Sequence, residues 1–175
     1  MSGSRAARAL TETMLGAVAD ALSGAMDAAV YDVTGLRGES AAALTAVHHT
    51  AGLSVKELAR FLDMRSPSAV ELIARLERLG LMARQPGSDG RTRSLVLTDR
   101  GRRMAVEVLA ARRQVTADRL DQLTQRQQQA MQGVLASLLG SYRGADVDLD
   151  HLCRRCDESV CTPPRCPVGH ATKVG

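Results

Sequence analysis

Apolar residues return at every fourth position near the start of the chain, at Leu10, Met14, Val18, Leu22 and Met26. This is the single stripe of an amphipathic helix. Ser23-Gly24 predicts a local weakening of that helix, and Gly35 to Gly38 closes the segment. Ser40 is placed to cap a second helix reaching about His49, with Leu44 and Val47 turned inward and Gly52 just past its end. Ser54 and Glu57 then frame the start of VKELARFL in the capping-box pattern. After a turn at Asp63-Met64-Arg65, Ser66 is expected to cap the helix PSAVELIARLERL. Pro67 takes its first position, where a missing N–H costs nothing. Val70, Leu72, Ile73 and Leu76 are the expected buried face, and Gly80 is the stop. Two short helices around a tight turn make a helix-turn-helix.

The period changes after Gly80. LMARQ and RSLVLT read as short strands around PGSDGRT, whose Pro, Gly and Asp suit a hairpin loop. Thr98 caps a long helix opening with DRGRRMAVEVL, free of breakers until about Leu123. Such a helix reaches about 37 Å at 1.5 Å per residue. Thr124 caps a last helix with Met131, Val134, Leu135, Leu138 and Leu139 on one face, ended by Gly140 and Gly144. The acidic run ADVDLD leads from there into a tail that holds all four cysteines.

At 175 residues the chain is one domain with an attachment, long enough to bury a core. Tyr31, Phe61 and Tyr142 are its only aromatic residues and there is no Trp, which argues against a single-strand binder that stacks bases on aromatic platforms. Net charge is +4 and the pI about 9.2. The charge is concentrated: Arg84, Arg91, Arg93, Arg100, Arg102 and Arg103 face only Asp89 and Asp99. Taken alone that is a solvated basic face; beside a helix-turn-helix it is a phosphate footprint. Glu12, Asp20 and Asp27 interrupt the first apolar stretch, so neither a signal peptide nor a membrane span is supported, and a cytoplasmic location is expected.

Helix, turn, helix and a hairpin with a basic loop is the order of a winged helix-turn-helix. Residues 53–101 resemble the MarR family of dimeric bacterial transcription regulators, most specifically in LERLGLMAR (76–84), DGR (89–91) and LTDRG (97–101). The resemblance extends over residues 5–143 and stops before the cysteine tail. It implies a mainly α fold with a small β-hairpin wing, in which a winged helix-turn-helix at 38–101 is flanked by dimerisation helices at 5–37 and 102–144. The Cys-rich tail occupies 150–170.

The resemblance also implies roles. The second helix of the motif enters the major groove, where Ser66 and Ser68 meet phosphates or base edges and Arg75 reaches the backbone or the domain core. Arg91 holds the position of the wing Arg that reaches the minor groove, Asp89 directs it, and Arg84 and Arg93 suit phosphates. Glu71 departs from the pattern, standing where many relatives carry Arg or another polar group. Its carboxylate can accept from a cytosine amino group, repel phosphate, or pair with Arg75 at i, i+4 spacing. The expected partners are a second copy of the chain and a near-palindromic double-stranded operator, with repression as the outcome. A small aromatic or phenolic ligand between the lobes is the family's ordinary way of weakening DNA binding. No membrane partner is expected.

Cys153, Cys156, Cys161 and Cys166 fall within fourteen residues. Three chemistries fit the spacing. Four thiolates on a Pro-stiffened loop suit tetrahedral Zn²⁺, either as a structural site or as a sensor. An iron–sulfur cluster also takes four Cys, and Cys166-Pro167 matches the Cys-Pro ending of ferredoxin ligand runs. Reversible disulfides are the third, with Arg154, Arg155 and Arg165 available to depress a thiol pKa. His151 and His170 flank the cluster as substitute ligands or as surface residues. An enzyme is not expected: a four-thiolate site leaves no open coordination position, and no His, Glu or Ser constellation supplies a base or nucleophile.

Overall fold

The computed structural model describes residues 2–86, 93–144, 146–161 and 165–169. Its elements run α1 (Ser2–Thr34), α2 (Glu39–His49), α3 (Val55–Phe61), α4 (Ser66–Arg78), β1 (Met82–Pro86), β2 (Arg93–Leu97), α5 (Asp99–Leu120), α6 (Gln125–Gly140) and α7 (Leu149–Cys153). The two strands pair antiparallel, from Met82 opposite Leu97 to Pro86 opposite Arg93, which makes the expected hairpin wing. The Leu95 N–H donates to the Leu53 carbonyl at 2.7 Å, tying the wing to the entrance of α3.

Local signals set most element boundaries. Ser54 Oγ accepts from the Glu57 N–H at 3.2 Å while the Glu57 carboxylate accepts from the Ser54 N–H at 2.7 Å, the reciprocal capping box. Thr98 caps α5 through the Gly101 N–H, and Thr124 caps α6 through Gln127. Asp63 takes φ 51° in the α3–α4 turn, a left-handed conformation that Asp tolerates better than most residues.

Three expectations need correction. Ser40 does not cap α2: the N-cap is Gly38, and Ser40 is buried inside the first turn. Ser66 does not cap α4 either; the helix starts one residue earlier, with Arg65 as an N-cap that makes no side-chain hydrogen bond. Helix α1 continues through Ser23-Gly24 and runs for 33 residues, about 50 Å. Val70 is not core. It is 46% exposed, and Ala69 occupies the inward position instead.

The core is aliphatic and belongs to the winged domain. Leu44, Leu58, Ile73, Leu76, Leu81, Met82, Leu95 and Val108 are its largest fully buried side chains. Val30 from the end of α1 and Ala105 and Val108 from α5 close it from above. The helices outside this domain tell a different story. Leu10, Met14, Leu15 and Val18 of α1 are more than half exposed, and α6 has no buried residue at all. Its stripe of Met131, Val134, Leu135, Leu138 and Leu139 lies open to solvent within one chain.

One glycine fixes how α5 meets the wing. A Cβ on Gly101 would lie 1.8 Å from the Leu81 carbonyl oxygen, so only hydrogen fits. This explains the glycine that closes the LTDRG segment: it lets the start of α5 pack directly on the backbone before β1.

Candidate nucleic-acid interface and thiol cluster

Helix α4 presents two unlike faces. At about 100° per residue, Ala69, Ile73 and Leu76 form the inner face, and all three are fully buried. Pro67, Glu71, Ala74 and Arg78 lie opposite. Val70 occupies one flank, Ser68 and Arg75 the other, and all three are exposed. Ser66 precedes Ile73 by seven residues and so points toward the domain side, exposed only because it sits in the first turn. Arg65 and Arg78, which the sequence did not single out, extend the basic edge at both ends of the helix. No ion pair forms between Glu71 and Arg75 among the described residues.

The wing supplies less free charge than its arginines suggest. Arg84 pairs with Glu77 of α4 at 3.0 Å, which bonds wing to helix and offsets its charge. Arg93 is exposed at the loop end of the hairpin, opposite Pro86. Arg100 donates to the Leu79 carbonyl at 3.0 Å, and Arg102 to the Leu97 carbonyl at 2.7 Å and to Asp99. These two therefore stiffen the joint between wing and α5. Asp89 and Arg91, the expected wing-tip pair, lie outside the described residues.

The tail does not hang free. It folds back over the winged domain, burying Cys166 and Val168 and making long-range polar contacts. Asp150 pairs with Arg60 of α3. His151 Nδ1 lies 3.2 Å from the Phe61 carbonyl, so this flanking His is engaged by backbone. Arg155 meets Asp27 of α1 and Glu39 of α2, both at 3.4 Å, while Arg154 reaches Glu39 at 3.6 Å. Arg112 of α5 approaches the same Asp27 at 3.9 Å. Three guanidinium groups thus share two carboxylates where α1, α2 and α5 meet. Burial, then the neighbouring Arg155, lowers the Arg112 pKa.

The four thiols are gathered beside this junction, all unbridged. Cys153 and Cys156 act on each other's ionisation, as do Cys161 and Cys166, and Cys153 also feels the charge of Cys161 and Cys166. The hydrogen bond from Cys153, helped by Arg112, brings Cys156 down to about 7 against the burial that opposes it. The same hydrogen bond and burial push Cys153 up. Burial and the charge of Cys166 raise Cys161 to about 11. Yet no group of three or more His, Cys, Asp or Glu side chains among the described residues stands ready to hold a metal. The donor chemistry of four thiols fits one soft cation. His170 lies outside the described residues.

Between α1, α5 and the tail lies a cavity of about 260 Å³, lined by Met26, Leu109, Arg112, Arg113, Arg155 and Val160 among others. No helix is long and apolar enough to cross a membrane among the described residues.

Comparison with known proteins places the winged domain. A model of the MarR family matches residues 32–92. Among solved structures, the chain is similar to the Mycobacterium tuberculosis MarR family protein RV2887, at 28% identity over 72% of this chain and 91% of that one, with TM-score 0.59. That protein has also been solved in complex with p-aminosalicylic acid. A MarR family protein from Bacillus stearothermophilus shares the fold at 23% identity, over 75% and 92% of the two chains, with TM-score 0.67. So does MepR, a transcription regulator of the Staphylococcus aureus multidrug efflux pump MepA, at 18% identity over 75% and 98%, with TM-score 0.67. No curated protein matches the chain in sequence.

Proposed function

From the match of a MarR-family model to residues 32–92 and the helix-turn-helix and wing described above, we propose that this chain is a homodimeric transcriptional regulator that binds double-stranded DNA and acts as a repressor. The family is one of regulators and not of enzymes. The observation that carries the reading is the pairing of an exposed, Arg-edged α4 with two apolar helix faces, on α1 and α6, that nothing in one chain covers. Exposed stripes of that length are interface material. A two-fold pair formed through them would set two copies of α4 about one DNA turn apart and select a near-palindromic site.

The tail is proposed as a metal site that tunes this activity. Cys153, Cys156, Cys161 and Cys166 would hold one Zn²⁺, with an iron–sulfur cluster as the alternative for the same four ligands. The bound ion would supply a closed, redox-inert cross-link between the two thiol pairs. Arg112, Arg154 and Arg155 offset the charge of the thiolates, and through Asp27 and Glu39 they tie the cluster to both the dimerisation helix α1 and the winged domain. Loss of the ion would loosen that tie and change operator affinity. Anaerobic purification, an absorption spectrum and elemental analysis test the site: one zinc per chain and no colour supports it, and a brown protein assigns iron. Cys153→Ser combined with Cys156→Ser tests the coupling, because operator affinity unchanged by chelator, peroxide and these substitutions removes sensing from the account.

A second reading has its own observation. The 260 Å³ cavity is lined by the apolar Met26, Leu109 and Val160 and by Arg112, Arg113 and Arg155, three guanidinium groups against the single carboxylate of Asp157, which suits a small organic acid. On that reading the chain is a ligand-responsive repressor, as the p-aminosalicylic acid complex of RV2887 suggests, and the tail is only structural. Titration with aromatic acids, followed by DNA release, separates the two.

A further inference from the structure

Val70, on one flank of α4, and Glu71, on its outer face, are both exposed, and neither belongs to the buried face of the helix. The inner face of the helix is complete with Ala69, Ile73 and Leu76, all fully buried. Val70 is nevertheless a β-branched aliphatic left 46% exposed. Glu71 is exposed and makes no ion pair with Arg75 among the described residues. An uncovered Val gains nothing from water, and a carboxylate on a helix meant to approach phosphates weakens that approach. Both residues become useful if each meets a base edge.

We propose that Val70 and Glu71 are the specificity-determining pair of α4, reading an adjacent thymine and cytosine in each operator half-site. The inference rests on the DNA-binding reading above and adds which bases are selected. In the major groove thymine offers its C5-methyl group, a partner for an isopropyl side chain, and cytosine offers its N4 amino group as a donor. A carboxylate only accepts. Guanine presents two acceptors at that edge and thymine an acceptor oxygen, so both repel Glu71. Adenine couples its amino donor to an N7 acceptor, which leaves cytosine the favoured base. The two side chains leave α4 about 100° apart, Val70 from its flank and Glu71 from its outer face, so they reach different bases. Ser68 and Arg75, on the other flank, are left to hold the backbone.

The test uses the full chain. Duplexes selected from a random pool define the preferred site, and fluorescence anisotropy at fixed salt compares affinities. Replacing the assigned thymine by deoxyuridine removes only the methyl group. It should weaken the parent about fourfold, the value of one buried methyl, and leave Val70→Ala unaffected. Exchanging the assigned C·G pair for T·A should cost the parent about tenfold or more, and Glu71→Gln no more than about twofold. Glu71→Gln should also raise affinity for unrelated duplex. Selected sites without neighbouring thymine and cytosine, or equal losses in parent and variants, overturn the proposal. Binding to duplex with no enriched sequence overturns it while leaving the DNA-binding reading intact. No binding to duplex at low salt overturns both.

Discussion

Replacing Gly101 by Ala tests whether α5 is seated on the wing as closely as described. The added Cβ would lie 1.8 Å from the Leu81 oxygen and 2.8 Å from its carbonyl carbon, both backbone atoms with no rotamer to yield. Ordinary contact begins at 3.4 Å, so the two segments must separate by 3.4 − 1.8 = 1.6 Å. The same Leu81 oxygen accepts from the Thr98 N–H at 3.1 Å, and that bond stretches with it. Overpacking of this kind costs about 1–3 kcal/mol, and the lost hydrogen bond about 1 more. A total near 3 kcal/mol corresponds to a fall in Tm of about 6–12 °C for a chain of this size. Thermal unfolding followed by circular dichroism reads it. Gly133→Ala is the control: it lies on α6 away from the apolar stripe with nothing within 4 Å of the new carbon, and it should hold or raise Tm. A Gly101→Ala protein melting within about 2 °C of the parent would show that α5 is not packed this way.

Other outcomes follow from the same structure. Ser54→Ala breaks the capping box of α3 and should cost about 1 kcal/mol near neutral pH. Hydrogen bonds from Ser54 lower the Glu57 pKa below its ordinary 4.5, so their stabilisation is present above that value and lost as pH falls through the folded pKa. The Tm gap between parent and variant should therefore narrow in acid, leaving the part due to the Glu57 N–H bond to Ser54 Oγ; a gap that widens in acid contradicts the cap. Leu135→Asp puts a charge in the exposed α6 stripe, and sedimentation should find single chains, with DNA affinity down about 100-fold or more as two-site binding is lost. An unchanged oligomer would move the interface off α6. Asp27→Ala removes the shared partner of Arg112 and Arg155. With about 1 kcal/mol lost for the part-exposed pairs, trypsin should cut after Arg154 or Arg155 roughly fivefold faster, whereas unaltered cleavage would mean the tail is held elsewhere.

What the sequence revealed was whatever is written within a few residues. Ser54 with Glu57, Thr98 with Gly101 and Thr124 with Gln127 are caps between near neighbours, and each is present in the structure. The α4 start was misjudged because Ser66 resembles a cap, although the chain turns helical one residue sooner behind Arg65. Val70 was misjudged because hydrophobicity favours Val over Ala, whereas close packing of α4 on its neighbours selects the smaller Ala69. The tail's docking was not legible at all. Arg155 finds Asp27 across 128 residues, and no local pattern encodes a contact that only the assembled junction of α1, α2 and α5 creates. Clustered cysteines announced a site, but not that it sits against that junction.

Sedimentation of the full chain, alone and with duplex selected from a random pool, addresses the central claim most directly. A symmetric pair should sediment at twice the 18.7 kDa of one chain. It should join duplex as one pair per site, with an affinity that falls steeply as salt rises, because phosphates carry much of the contact. A particle of 18.7 kDa that leaves every duplex unshifted at low salt would contradict the account.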